Sequence, residues 1–164
     1  MWLSPAELTC LRQSSRAMRV ESEDRIEVVP ARALGMVVCD ACWLDPGTGK
    51  LFLLGIFASL RVSSFPFSCP KLTVYVALTG VHGRTPVKIR LVPVAEEDML
   101  VVETEVEVAS DDPLTVMDVP VELLDIVLEE PGEYRFQLWL GKGPGAYCAR
   151  ERRLTVEQLG ERDE

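Results

Sequence analysis

Between Met36 and Leu159 the chain is a succession of short segments in which apolar and polar residues alternate, separated by turns rich in proline and glycine. Alternation with a period of two is typical of a β-strand with one buried face. The segment 34–44 is one example, and the turn at 45–50 that follows it contains one Asp, one Pro and two Gly residues. Roughly eight such segments, at spacings near ten residues, predict an all-β fold. We expect an immunoglobulin-like (Greek-key) β-sandwich of about seven to nine strands, with a jelly-roll strand order as the alternative.

The segment 51–62 departs from this pattern because both of its faces are apolar. One face would carry Phe52, Leu54, Ile56 and Leu60, and the other Leu51, Leu53 and Phe57. A sandwich strand normally exposes one face to water, so this strand needs a cover on its outer side. Either a helix at the N-terminus or another protein subunit could supply it.

An N-terminal helix is predicted over about residues 5–18. Ser4 and Glu7 have the spacing of a capping box, with a proline between them at the first helical position. A charged stretch follows the helix. We therefore divide the chain into residues 1–30, an N-terminal helix and linker, and residues 31–160, the β-sandwich domain.

Charged residues follow one face of two later strands. Lys88 and Arg90 alternate with apolar residues, and so do Glu103, Glu105 and Glu107. If these strands pair, the two bases lie opposite the acids across the ladder. Each such contact stabilises the strand pair by roughly a few tenths of a kcal/mol. This pattern predicts a solvated face rather than a catalytic one.

Composition narrows the range of partners and compartments. The chain has 17 Lys and Arg against 26 Asp and Glu, so its net charge is −9, the wrong sign for binding phosphate backbones or anionic membranes. The longest apolar run, 51–60, is about half the length of a membrane-spanning helix. The N-terminus lacks the apolar core of a secretory signal, and five cysteines are an odd number for a disulfide framework. We expect a cytoplasmic protein that binds neither nucleic acid nor membrane.

The candidates for chemistry are two thiols and one imidazole. Cys39 and Cys42 have the spacing of a zinc-binding or redox pair, and His82 is the only histidine. On an extended strand, however, residues three apart point to opposite faces, so the two thiols are not expected to converge. We therefore predict no catalytic, metal-binding or cofactor-binding residues.

Several residues are candidates for contact with another protein. Asp40 interrupts an apolar strand, and Trp139 and Tyr147 are predicted to lie on the outer faces of the last two strands, near arginines that favour interfaces. Together with the second face of segment 51–62, they form the predicted interaction surface. Its members are Asp40, Leu51, Leu53, Phe57, Trp139 and Tyr147.

A series of short motifs resembles a bacterial family of short β-sandwich proteins described as a domain of unknown function. The motifs are Val38-Cys39-Asp40, Gly49-Lys50, Leu54-Gly55-Ile56-Phe57, Phe65-Pro66 and Pro131-Gly132-Glu133-Tyr134. The resemblance extends over about Met36 to Val156. It implies a β-sandwich and no assigned activity, cofactor or partner.

These observations favour a non-catalytic β-sandwich that works as a protein-interaction or structural module, with itself or another protein as partner. The alternative is a small metal-binding or redox protein that uses Cys39, Cys42 and His82.

Overall fold

The computed structural model of the protein describes residues 30–160, which contain nine β-strands and no α-helix. The all-β prediction is therefore confirmed for this part of the chain, whereas the predicted helix at 5–18 lies outside it. No helix within these residues is long and apolar enough to cross a membrane. The strands are β1 (Arg32–Leu44), β2 (Leu51–Ile56), β3 (Ser59–Val62), β4 (Phe67–Thr79), β5 (Gly83–Pro93), β6 (Val102–Ser110), β7 (Met117–Leu128), β8 (Gly132–Leu140) and β9 (Tyr147–Gln158).

The strands form two sheets around one core. The first sheet has the order β2-β1-β4-β7, and the second has the order β3-β9-β8-β5-β6. All neighbours are antiparallel except β3 and β9, which are parallel. Alternate side chains of both sheets point inward and form a single apolar cluster, as expected when each sheet buries one face. Its central members include Val74, Val76, Leu123, Ile89, Phe136 and Leu138.

The apolar segment 51–62 is not one strand, as the alternation predicts, but two strands in different sheets. β2 ends at Ile56 in the first sheet, and β3 pairs with β9 in the second. Gly55 has a φ of +67°, a left-handed conformation that interrupts the regular extension of β2. The chain can therefore leave the first sheet within a few residues.

The alternation at 114–119 and 122–128 predicts two strands, but the structure has one, β7. Pro120 lies inside it and marks the apparent break in the sequence. A proline is compatible with a strand at the edge of a sheet, because the missing N–H then removes no ladder hydrogen bond. β7 is such an edge strand.

The predicted pairing of the charged strands is confirmed. Lys88 lies opposite Glu105 and Arg90 opposite Glu103 in the β5–β6 ladder. Lys88 Nζ is 3.6 Å from Glu105 Oε2, and Arg90 Nε is 3.1 Å from Glu103 Oε2. These contacts form the outer, solvated face of the second sheet.

At the corner between β7 and β8, a tyrosine fixes the chain. The hydroxyl of Tyr134 donates a hydrogen bond to the carbonyl oxygen of Glu130, four residues earlier, at 2.7 Å. Its ring is buried in the common core. The corner is thus joined to the core by one side chain.

Candidate functional site

The most unusual element is a two-stranded hairpin that extends from the first sheet, here called the ribbon (residues 40–56). β1 pairs with β4 only as far as Cys39, and beyond it pairs with β2 alone. Asp45 closes the turn at its tip by accepting hydrogen bonds from Thr48 Oγ1 at 2.5 Å and from the Gly47 amide at 3.0 Å. These bonds, that from Thr48 foremost, hold the pKa of Asp45 below its usual value. The sequence predicts this turn correctly.

One face of the ribbon is directed toward the first sheet. Leu51 and Leu53, both half-buried, line an open groove together with Tyr75 and Asp118. Tyr75 lies on the outer face of β4, and its hydroxyl donates to Asp118 Oδ1 at 2.5 Å. This hydrogen bond, followed by burial, raises the pKa of Tyr75 to about 12. The ribbon therefore lies along the outer surface of the sheet from which it comes.

The opposite face of the ribbon is apolar and exposed. We call it the ribbon face and define it by four side chains: Trp43 is 53% exposed, Phe52 45%, Leu54 52% and Ile56 59%. Trp43 and Phe52 are cross-strand partners, and their ring centroids are 5.4 Å apart. The ribbon face is thus a contiguous apolar surface that includes an aromatic pair.

Asp40 and Gly55 lie close together at the base of the ribbon. A Cβ placed on Gly55 would overlap Asp40 Oδ2 and lie 2.8 Å from its Cγ. The Asp40 side chain is accommodated because residue 55 has no side chain. Asp40 itself is exposed.

The two thiols of the Cys39-x-x-Cys42 motif do converge, contrary to the expectation for an extended strand. Their Sγ atoms are 3.7 Å apart, at the place where the pairing of β1 with β4 ends and its pairing with β2 continues. Burial first, and the hydrogen bond with Cys39 second, raise the pKa of Cys42 to about 12. A thiol that stays protonated near neutral pH is a weak nucleophile and a weak metal ligand.

His82 is not brought to this pair. Cys39 lies opposite Thr73 in the β1–β4 ladder, and His82 follows the far end of β4, nine residues later. The part of β4 from Thr73 to Thr79 alone spans about 20 Å at about 3.3 Å per residue. Among residues 30–160 no group of three or more His, Cys, Asp or Glu side chains could hold a metal ion.

The other members of the predicted interaction surface are distributed over the molecule. Trp139 is half-buried on the outer face of the second sheet, where its Nε1 donates to Gln137 Oε1 at 3.3 Å. Tyr147 lies opposite the buried Leu140 in the β8–β9 ladder and thus on the inner side of the sheet. Its hydroxyl donates to the carbonyl oxygen of Ala31.

Phe57, the remaining member, packs against the core, and its amide donates to the carbonyl oxygen of Val38 at 3.2 Å. The six predicted residues therefore do not form one surface. The structure exposes the other face of β2, that of Phe52, Leu54 and Ile56.

The sequence separates the two faces of β2 but does not indicate which one is exposed. That choice depends on the direction in which the ribbon leaves the sheet after Cys39, which no local pattern encodes. Trp43 could have been added to the surface, because period-two alternation places it on one face of β1 with Cys39 and Ala41, and Ala41 lies opposite Leu54.

Comparison with known proteins gave one result that covers most of the chain. A family model, described as that of a family of unknown function, matches residues 34–145. A search of curated proteins found no match.

Proposed function

The chain belongs to DUF6941, a family of unknown function, and from this premise and the geometry above we propose that it is a non-catalytic protein-interaction module that binds through the ribbon face. The proposal follows the prediction of an interaction module but assigns the contact to different residues. Trp43, Phe52, Leu54 and Ile56 carry it, rather than the residues selected from the sequence.

The exposure of the ribbon face is the observation that supports this function. Together its four side chains present apolar surface on the order of 400 Å², within the range of the largest, and often functional, patches on monomeric proteins. Trp43 and Phe52 are of the residue classes that are enriched at the centres of protein interfaces. Leaving such side chains in water costs free energy that contact with a partner recovers.

We infer further that the sandwich has the immunoglobulin-like strand order. Two observations support this. With the orders β2-β1-β4-β7 and β3-β9-β8-β5-β6, the chain crosses from one sheet to the other after β2, β3, β4, β6 and β7, as Greek-key connections do. The hydrogen bond from Tyr134 to Glu130 has the form of the tyrosine corner found in such domains.

A cytoplasmic location fits this proposal. Cys39, Cys42, Cys69 and Cys148 are free thiols, and free thiols persist in reducing compartments. The predicted location remains part of the proposal.

Photo-crosslinking in living cells tests the function. The photoreactive residue p-benzoylphenylalanine replaces Phe52, a substitution that keeps an aromatic side chain on the ribbon face. The matched control carries the same residue at Arg153, which is exposed on β9 of the other sheet. We expect a discrete covalent adduct with a protein at position 52 and none at position 153.

Two results would contradict the proposal. The absence of any protein adduct at position 52 would mean that the ribbon face makes no protein contact in the cell. Equal adducts at positions 52 and 153 would mean that the contact is not specific to the ribbon face.

A further inference from the structure

The edge strands of the two sheets differ in whether they carry features that block pairing with another chain. An open edge presents free N–H and C=O groups that can pair with another chain, and natural proteins block such edges with charge, proline, bulges or short length. Within residues 30–160 there are four edge strands: β2 and β7 in the first sheet, and β3 and β6 in the second. Three of them have such a device.

β6 carries Glu103, Glu105 and Glu107 along its length. β7 contains Pro120 and the acidic residues Asp118, Glu122 and Asp125. β3 has only four residues. Each of these edges is a poor template for a further strand.

Before Cys39, β1 pairs with β4 on one edge only, and its other edge is closed by β9. Side chains of β9 donate hydrogen bonds to carbonyl groups along this edge: Tyr147 to Ala31, just before β1, Arg150 to Ala33 at 3.2 Å, and Arg152 to Met36 at 3.1 Å. The next carbonyl in the series, that of Val38, accepts from the amide of Phe57 at 3.2 Å. The free edge of β1 is therefore satisfied within the molecule.

β2 has no charge, no proline and no register shift against β1, and its one left-handed residue, Gly55, lies next to its last residue. Its sequence is Leu51-Phe-Leu-Leu-Gly-Ile56. It is six residues long, close to the usual length of a strand, and one side of it borders the exposed ribbon face. It is the one edge strand of the described residues that stays open to pairing.

We propose that the edge of β2 pairs with β2 of a second copy of this chain, in an antiparallel arrangement about a two-fold axis. This inference rests on the proposed function, because it names a second copy of the chain as the protein that the ribbon contacts. An uncharged apolar strand is the segment that this edge requires, and the chain supplies one in β2 itself. A symmetric contact between identical patches is the commonest form of protein self-association.

The side-chain pattern of β2 is compatible with self-pairing. In an antiparallel pair, residues that lie opposite each other point to the same face. With Leu54 on the axis, it lies opposite Leu54 of the second copy, and Phe52 lies opposite Ile56 of the second copy. All three side chains belong to the exposed ribbon face, so each cross-strand contact is apolar.

Charge agrees with this arrangement. Each chain has a net charge of −9, yet β2 carries no charge, so pairing brings no like charges together across the ladder. Pairing covers the backbone edge of β2 and the flanks of its side chains, less than the roughly 800 Å² that each partner buries in a standard interface, so the contact is expected to be weak.

Light scattering coupled to size-exclusion chromatography of the purified full chain tests the proposal. At about 100 µM, where even weak interfaces pair, we expect twice the mass of one chain. Leu54→Lys places two positive charges opposite each other at the axis and is expected to give the mass of one chain. The matched control is Leu124→Lys on β7, the opposite edge of the same sheet, because Leu124 is 54% exposed and Leu54 is 52% exposed. This control should keep the double mass.

If Leu54→Lys fails to fold, as judged by its circular dichroism, Ile56→Lys is measured in its place. A wild-type chain of single mass, or a loss of double mass in Leu124→Lys alone, would overturn the second copy as partner. The crosslink at position 52 separates the two proposals. An adduct with a different protein and a monomeric chain would refute self-pairing but retain the interaction function, whereas no adduct and a monomeric chain would refute both.

Discussion

At the residue scale, the course of the ribbon depends on a glycine. Gly55 combines a φ of +67° with a close approach of the Asp40 carboxylate to the position that a Cβ would occupy. The first property alone disfavours other residues, because a left-handed conformation costs them about 1–2 kcal/mol. The second adds a steric overlap. Position 55 is therefore the most restricted position of the ribbon.

Substitution of this residue tests its role. Gly55→Ala is expected to lower the free energy of unfolding by about 2–3 kcal/mol, measured by urea denaturation, because strain and overlap act together. Gly49→Ala is the control: Gly49 lies in the same hairpin with a φ of +70°, but nothing lies within 4 Å of its Cβ position. It should lose only about 1–2 kcal/mol. Equal losses in the two variants would show that the approach of Asp40 is unimportant.

At the scale of elements, β9 both belongs to the second sheet and closes the edge of the first. Tyr147, Arg150 and Arg152 reach from β9 to two carbonyl groups of β1 and to that of the residue just before it. An apolar side chain at any of these three positions of β9 would leave the corresponding carbonyl group without a hydrogen-bond donor. The two sheets are therefore joined along one side by hydrogen bonds as well as by the apolar core.

Removal of one such donor gives a measurable effect. Arg152→Ala leaves the carbonyl oxygen of Met36 without its partner and is expected to cost about 1–3 kcal/mol of unfolding free energy. Hydrogen exchange of β1 amides should become faster in the same variant. Arg153→Ala, at the exposed neighbouring position, should change the unfolding free energy by less than about 0.5 kcal/mol. A loss of the same size in both variants would contradict the assigned role of Arg152.

At the scale of the whole molecule, the two sheets share one core and are expected to unfold together. Phe136 is fully buried at the centre of the second sheet and belongs to the same cluster as Val74 of the first. Trp43 reports on the first sheet and Trp139 on the second.

Phe136→Ala tests whether the two sheets unfold cooperatively. It is expected to lower the unfolding free energy by about 3–5 kcal/mol. Far-UV circular dichroism and tryptophan fluorescence should give the same midpoint in the wild type and in the variant. Separate midpoints for the two signals in either protein would mean that the sheets unfold independently.

The sequence predicts the strands and their inward faces, but not the path between them. Alternation predicts β5 and β6 because it is a local property, and it places Lys88 and Arg90 opposite the glutamates on the condition that the two strands pair, as they do. It cannot show that residues 51–62 enter two sheets, because that division depends on the conformation of Gly55 and on pairing of β3 with the distant β9.

The same limit applies to the candidate site. The apolar character of β2 is evident from the sequence, but the exposed face is set by the direction of the ribbon after Cys39. Strand alternation also does not predict the approach of Cys39 and Cys42 Sγ to 3.7 Å, at the place where the pairing of β1 with β4 ends.

The parallel pairing of β3 with β9 has a consequence for folding during translation. Ser59 lies beside Thr155, 96 positions further along the chain. During translation β3 must therefore wait, without its neighbour, until almost all of the remaining domain has been made. The second sheet can be completed only after β9 has left the ribosome, and until then the nascent chain needs protection from premature contacts of its apolar segments.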